Sequence, residues 1–229
     1  MFEGALNMAG RAVVAVLVVV VGATFATAQQ VVDKTVATVS DGVRTELITL
    51  SDLKWQLALQ PNTPIDPPSS EDLNRALRLL IDQRLFALEA ERLPREPPTK
   101  AEINAKISEI VSYFPSPSEF ERRLKLVGFK SVSDPNFEQI IAQRIAIDKY
   151  LNFRFRSFIV ITAQDEAQYY RDVFVPEFQR RNPGVIIPTH QSRRAQIVDE
   201  LTEQRVAQQI ETFLDEAKRR ASIVILSPV

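Results

Sequence analysis

The sequence predicts a mainly α, multihelical fold with a small β-sheet built jointly by an N-terminal hairpin and a C-terminal strand. Three observations predict it. Apolar residues recur at helical spacing through most of the chain, in segments opened by Ser or Thr and closed by Pro or Gly. Only six glycines occur in 229 residues, and Gly4, Gly10 and Gly22 lie near the start, so a glycine-turned β-domain or a phosphate-cradling loop is not expected. Strand-like patterning is confined to the segments 32–48 and 222–226. So few short strands cannot make a sheet core alone, which requires the last strand to return to the first hairpin.

The N-terminus reads as an address. Arg11 precedes a charge-free run from Ala12 to Ala28 that ends in Ala26-Thr27-Ala28. A basic residue, an apolar stretch and a small-x-small site describe a secretory signal peptide over 1–28. The competing reading is an uncleaved membrane anchor, because the uncharged stretch continues to Val32. Gln29 stands where a lipoprotein would need Cys. Either reading places the remainder outside the cytoplasmic membrane, with a periplasmic location expected.

Behind this leader, 29–229 is expected to form one domain, in three parts: a helical part over 29–165, a helix and linker over 166–192, and a closing helix and strand over 193–229. Val32–Val39 alternates as a strand, Ser40-Asp41-Gly42 is a hairpin turn, and Val43–Ile48 returns. Thr49 or Ser51 caps a short helix carrying Leu53 and Leu57, and four prolines between Pro61 and Pro68 enforce a loop. Ser69 or Ser70 opens a long helix with Leu73, Leu77, Leu80, Ile81, Leu85 and Leu88 on one face, ended by Pro94, Pro97 and Pro98. Thr99 and Glu102 form a capping box before the Ile103, Ile107, Ile110 stripe. Ser116 repeats the start signal before Phe120 and Leu124, and Ser133 is expected to cap the helix bearing Phe137, Ile141 and Ile145. Thr162 to Asp165 opens another helix, which Pro176 kinks or ends. A charged helix follows from about Arg193 to Ala221, then a short strand.

Composition excludes several functions. A formal net charge of −1 offers no basic field for nucleic acid. The absence of cysteine and the single histidine, His190, exclude disulfides, thiolate chemistry and metal sites needing two imidazoles. No serine has a G-x-S-x-G context, and the carboxylates fall mostly at helix starts or beside basic residues. No catalytic residue, metal or cofactor is therefore expected, and His190 reads as a solvated loop residue. The notable local feature is Phe153-Arg-Phe-Arg-Ser-Phe158. Its phenylalanines could grip apolar side chains of a bound polypeptide, or could be core while the arginines are solvated; the second reading is favoured on periodicity. Phe114, Phe120, Phe129 and Phe137 carry the same ambiguity, with core packing the default for aromatics at helical spacing. The candidate peptide-binding set is thus Phe114, Phe120, Phe129, Phe153, Phe155 and Phe158.

The order of segments resembles that of SurA-type periplasmic chaperones. Val31 to Gly42 followed by Leu47 to Leu53 resembles the start of the mature family members, and Leu77 to Arg92 looks like their long second helix. Thr99–Ile110, Phe120–Gly128 and Ile140–Arg156 continue the pattern, Ile161–Tyr170 is similar to the hand-over to an isomerase domain, and Ile197–Ile225 is similar to the closing helix and strand. The resemblance implies a SurA N-terminal or trigger-factor-like peptide-binding domain. Family members usually insert a parvulin-type prolyl isomerase domain between these parts. Here only about Arg180 to Ser192 fills that place, too short for one, so isomerase activity is not carried over.

The expected function is that of an ATP-independent holdase for unfolded or nascent exported polypeptides, outer-membrane protein precursors among them. Two alternatives stand beside it: a prolyl isomerase with residual activity, and an assembly subunit or scaffold with one folded partner. Helix exchange in the resembling family leaves a homodimer open.

Overall fold

The computed structural model describes residues 33–92 and 96–229. The expected signal peptide and Pro94 lie outside the described residues. The chain opens with an antiparallel hairpin, β1 (Thr35–Ser40) and β2 (Thr45–Thr49). Its turn is made by Asp41, whose Oδ1 accepts the backbone N–H groups of Val43 and Arg44 at 2.9 and 2.8 Å, and by Gly42, which takes φ +87°. Arg92 donates to the other Asp41 oxygen at 2.7 Å. The Arg44 amide, then Arg92, then the Val43 amide hold the Asp41 carboxyl well below the usual carboxylate range.

The third strand, β3 (Ser222–Ile225), pairs antiparallel with β1 on the side away from β2, giving the order β2-β1-β3. The register sets Val39 opposite both Glu46 and Ile223, and Thr38 opposite both Leu47 and Val224. Beyond the last paired residue, the Leu226 N–H donates to the Val36 carbonyl at 2.8 Å. The expected return of the terminal strand to the hairpin is therefore found. Strand β1 is the central strand, and Val36, Ala37 and Val39 are fully buried.

Helices cover this small sheet. Helix α1 (Leu50–Ala58) starts from a capping box in which Thr49 Oγ1 accepts from the Asp52 amide and Asp52 accepts from the Thr49 amide. Helix α2 (Ser70–Ala90) is capped by Ser69. Leu53 and Leu57 of α1, and Ala76, Leu77, Leu80, Leu85 and Leu88 of α2, pack with Val36, Val39 and Ile48 in one apolar core. That core also takes Ala217 from the long final helix, α8 (His190–Arg220).

A second core lies between α3 (Lys100–Ser112), α4 (Pro117–Leu126) and α5 (Pro135–Leu151), centred on Phe120, Leu124, Phe137 and Ile141. The Thr99–Glu102 capping box opens α3, and Lys149 of α5 reaches Glu102 at 2.6 Å. Lys149 first, and the Thr99 amide second, bring Glu102 down to about 2. The cap of α5 is Asp134 and not Ser133: Asp134 Oδ1 accepts the Asn136 amide at 3.0 Å, and Oδ2 accepts the Lys130 amide at 3.0 Å. Pro135 fits the first helical position, so the residue immediately before it must take the cap.

Arg123 joins the two cores. Only 6% exposed, it projects from α4 onto the C-terminal end of α1. Its Nη2 donates to the carbonyls of Leu57, Gln60 and Thr63 at 2.8, 2.9 and 2.8 Å, and its Nε to Ala58 at 3.1 Å. One guanidinium thus satisfies orphan carbonyls at a helix end and pins the proline-rich loop behind it.

Helix α5 runs on through a π-helical turn, Asn152–Arg156. A second helical run comprises α6 (Ala163–Tyr169), a π-helical turn Tyr170–Phe174 and α7 (Val175–Arg181). Pro176 does not end this run. It sits in the first turn of α7, and the wider π turn before it accommodates a ring that lacks an N–H. No helix among the described residues is long and apolar enough to cross a membrane.

Replacing Arg123 with Met should lower stability by about 3 kcal/mol, because buried carbonyls lose their donors while the apolar stem is kept. Urea unfolding of the two proteins measures this, and Arg123→Lys should recover part of the loss.

Candidate functional site

An open concave surface with an apolar floor lies where the π turn after α5 meets α8. In the π turn the backbone advances one residue further per turn than an α-helix, and the Ser157 N–H bonds the Asn152 carbonyl at 3.0 Å. This phase shift turns Phe155 inward and leaves Phe153 and Phe158 outward. Phe155 is 4% exposed and meets Tyr150 edge-on at 6.3 Å and Phe213 of α8 at 5.6 Å. Phe213 in turn stacks on Phe86 of α2 at 5.6 Å. Four rings from three helices and the π turn therefore form one continuous aromatic seam.

Above that seam runs an open groove of about 340 Å³, within the range of small-ligand and side-chain pockets. Phe155 and Phe213 form its floor. Gln208, Gln209 and Thr212 of α8 supply an uncharged polar wall, with Arg154 and Glu216 as its charged members. The Arg154 guanidinium lies 5.7 Å from the centroid of the Phe155 ring. Beside the groove, Phe153 and Phe158 face each other edge-on at 6.1 Å, with exposures of 52% and 72%. Val160, 72% exposed, extends this apolar shoulder.

The segment is clamped to α8 by charge. Arg156 pairs with Glu203, while Arg205 pairs with Asp165 at 2.8 Å and also donates to the Val160 carbonyl. These contacts fix the loop 157–162 against α8 at both ends.

The six candidate phenylalanines separate into two groups. Phe114, Phe120 and Phe129 are buried in the α3–α4–α5 core, with ring contacts of 4.8 Å for Phe114–Phe120 and 5.5 Å for Phe129–Phe137. Their surfaces are occupied by neighbours, so they do not line an open cradle. Of Phe153, Phe155 and Phe158, only Phe155 lines the groove, while Phe153 and Phe158 pair with each other at the surface. The missed residues are on α8. Gln208, Gln209 and Thr212 carry no distinctive signal in the sequence, because Gln191, Ser192, Gln196, Thr202 and Gln204 are also uncharged polar residues of this helix and Glu211 stands between Gln209 and Thr212.

His190 is also repositioned. It is the first residue of α8, after the Thr189 cap, and its side chain is 34% exposed. The solvated-loop reading fails because α8 begins before Arg193 and packs this turn on α6. There Glu166, 3% exposed at its side chain, accepts two hydrogen bonds from Arg194 at 2.7 and 3.1 Å, while His190 Nε2 lies 3.8 Å from Glu166 Oε2. Tyr170 stands 5.3 Å from the imidazole and donates to the Pro188 carbonyl at 2.9 Å. The cluster joins α6 to α8; none of its members forms a nucleophile–base pair. No group of three His, Asp or Glu residues able to hold a metal occurs among the described residues.

No family model matches the chain, and no curated protein matches it either.

Arg194 first, and more weakly the charge of His190, hold the Glu166 carboxyl below its ordinary value against the opposing effect of burial. A depressed folded pKa means that Glu166 stabilises the fold above its unfolded value, about 4.3, and loses this contribution as pH falls through the folded value. Glu166→Gln should therefore flatten the fall of the unfolding temperature below about pH 4.3, measured by circular dichroism melts between pH 7 and pH 3.

Proposed function

We propose that the chain is an ATP-independent holdase of the SurA-like kind, without the isomerase module, which binds unfolded segments of exported polypeptides. Periplasmic export through the leader is part of the same reading. The observation that carries it is the groove between the π turn and α8, with its aromatic floor, amide wall and exposed Phe153–Phe158 shoulder. Such a surface suits an extended polypeptide. Aromatic faces take up apolar side chains in many orientations, and Gln208 and Gln209 offer both donors and acceptors to the passing backbone.

Binding of this kind needs no bond chemistry. Its strength comes from apolar area removed from water, and its breadth of clients from the lack of a shape-specific pocket. The groove takes one or two side chains at a time, which favours transient capture. Outer-membrane precursors, with their alternating apolar strands, are the clients that match an aromatic shoulder with a polar wall.

The test is suppression of aggregation of an unfolded outer-membrane protein at near-stoichiometric ratios. The double variant Phe153→Ser with Phe158→Ser should weaken client binding roughly thirtyfold, since each substitution removes about 1 kcal/mol of apolar contact. Both side chains are exposed, so its melting temperature should stay close to that of the parent. Unchanged suppression by this variant would remove the groove from the mechanism. Turnover of a proline tetrapeptide above background would replace the holdase reading with the isomerase one.

A further inference from the structure

The sheet has two outer strands, and the phase of its hydrogen bonds determines which backbone groups each one presents. The Leu226 N–H donates to the Val36 carbonyl at 2.8 Å, and the register sets Thr38 opposite Val224 and Ser40 opposite Ser222. Alternation along an antiparallel pair turns Ser222, Val224 and Leu226 toward β1, and Ile223 and Ile225 away from it. On that outer side the Ile223 and Ile225 backbone has no hydrogen-bond partner among the described residues. The flanking amides are engaged: Ala221 N–H donates to the Ala217 carbonyl at 2.9 Å and Ser227 N–H to Val36 at 3.2 Å. Native sheets blunt a free edge with a charge, a proline or a bulge. Ser222 to Ser227 carries neither charge nor proline, and its register with β1 is unbroken. Val224, Ile225 and Leu226 are 45%, 51% and 56% exposed.

A two-fold axis at Val224 would satisfy this edge with a second copy of itself. It sets Ile223 against Ile225 of the second copy, and Ile225 against that copy's Ile223, so each open N–H meets a carbonyl. Val224 then faces its own counterpart as a close pair without hydrogen bonds. On that face Leu47, Thr38 and Val224 already lie in one row across the three strands, and the axis joins two such rows. Charge favours the same arrangement. Arg219 and Arg220 end α8 beside Ser222, while Glu71 lies in the first turn of α2. That turn adjoins the far end of the edge, where Asn74 donates to the Val229 carbonyl at 3.1 Å. Arg219, Arg220 and Glu71 are exposed, and none has an ion pair among the described residues. Antiparallel pairing brings the basic end of one copy to the acidic end of the other.

The edge of β2 lacks this self-complementarity. The Asp41 N–H donates to the Arg44 carbonyl at 3.2 Å, a phase that leaves Thr45 and Leu47 facing outward. The equivalent axis would set Glu46 against Glu46 of the second copy, and like charges directly opposite are repulsive.

We propose that β3 pairs antiparallel with β3 of a second copy, joining two three-stranded sheets into one across a two-fold axis at Val224. The interface uses none of the groove residues, so it stands or falls separately from the holdase reading.

The chain has no cysteine, so Val224→Cys places a single thiol at the axis. Mild oxidation of the purified variant should give a disulfide-linked dimer, while Thr45→Cys on β2 should stay monomeric under the same conditions. Val224→Lys and Val224→Glu should each weaken self-association about tenfold in sedimentation velocity. Mixing the two should restore a dimer containing one of each, an outcome that no loss of folding in either variant can imitate. Ile225→Pro, which removes an outward N–H and keeps the bonds to β1, should also weaken association about tenfold. A parent protein that sediments as a monomer up to its solubility limit would overturn the proposal, even if its β3 edge took up an unfolded client strand. So would equal cross-linking of the two cysteine variants, or a dimer that both charge variants leave unchanged.

Discussion

The pairing of β3 with β1 is the constraint on which the rest of the arrangement depends. β1 is the central strand of a three-stranded sheet, so both its edges must be hydrogen-bonded, and one partner comes from the far end of the chain. Ser222 follows α8 almost directly. Fixing β3 therefore fixes the C-terminal end of α8 over the sheet. Ala217 enters the first core and Lys218 meets Asp82 of α2 at 2.6 Å. One turn earlier, Phe213 lands on Phe86 and Phe155. The groove is a consequence of that landing, because its floor is a ring from α8 against a ring from the π turn.

Along α8 the burial is uneven. Ile197 and Ala217 are its buried residues, near opposite ends of a 31-residue helix. Between them the helix is held by half-buried Val206, Ile210 and Phe213 and by the ion pairs of Glu203 and Arg205. A one-sided contact of this type leaves the opposite face and the flanking wall in water. The exposed apolar side chains Phe153, Phe158 and Val160 lie beside this wall, where a larger core would have covered them.

Much of the local structure was legible because it rests on neighbours in sequence. A capping threonine with an acid three residues later, a proline after a cap, or Asp-Gly in a hairpin turn needs no distant partner. The misplaced cap of α5 follows the same logic: Pro135 selects Asp134, and the preceding serine was the weaker choice. Continuity through Pro176 was not legible, because a π turn depends on how a whole helix settles on its neighbour. The phenylalanines show the limit most clearly. Phe153, Phe155 and Phe158 have similar surroundings in sequence, yet one is buried and two are exposed, and only the phase of the π turn separates them.

Sequence alone determined the helical class, the hairpin, most helix starts and the need for a returning strand, because hydrophobic period and capping are local properties. Tertiary structure decided which aromatics remain open to a partner, and that His190 packs beside Glu166. Those outcomes depend on the relative placement of helices distant in sequence. That placement is set by side-chain packing in three dimensions, which no periodicity along the chain encodes.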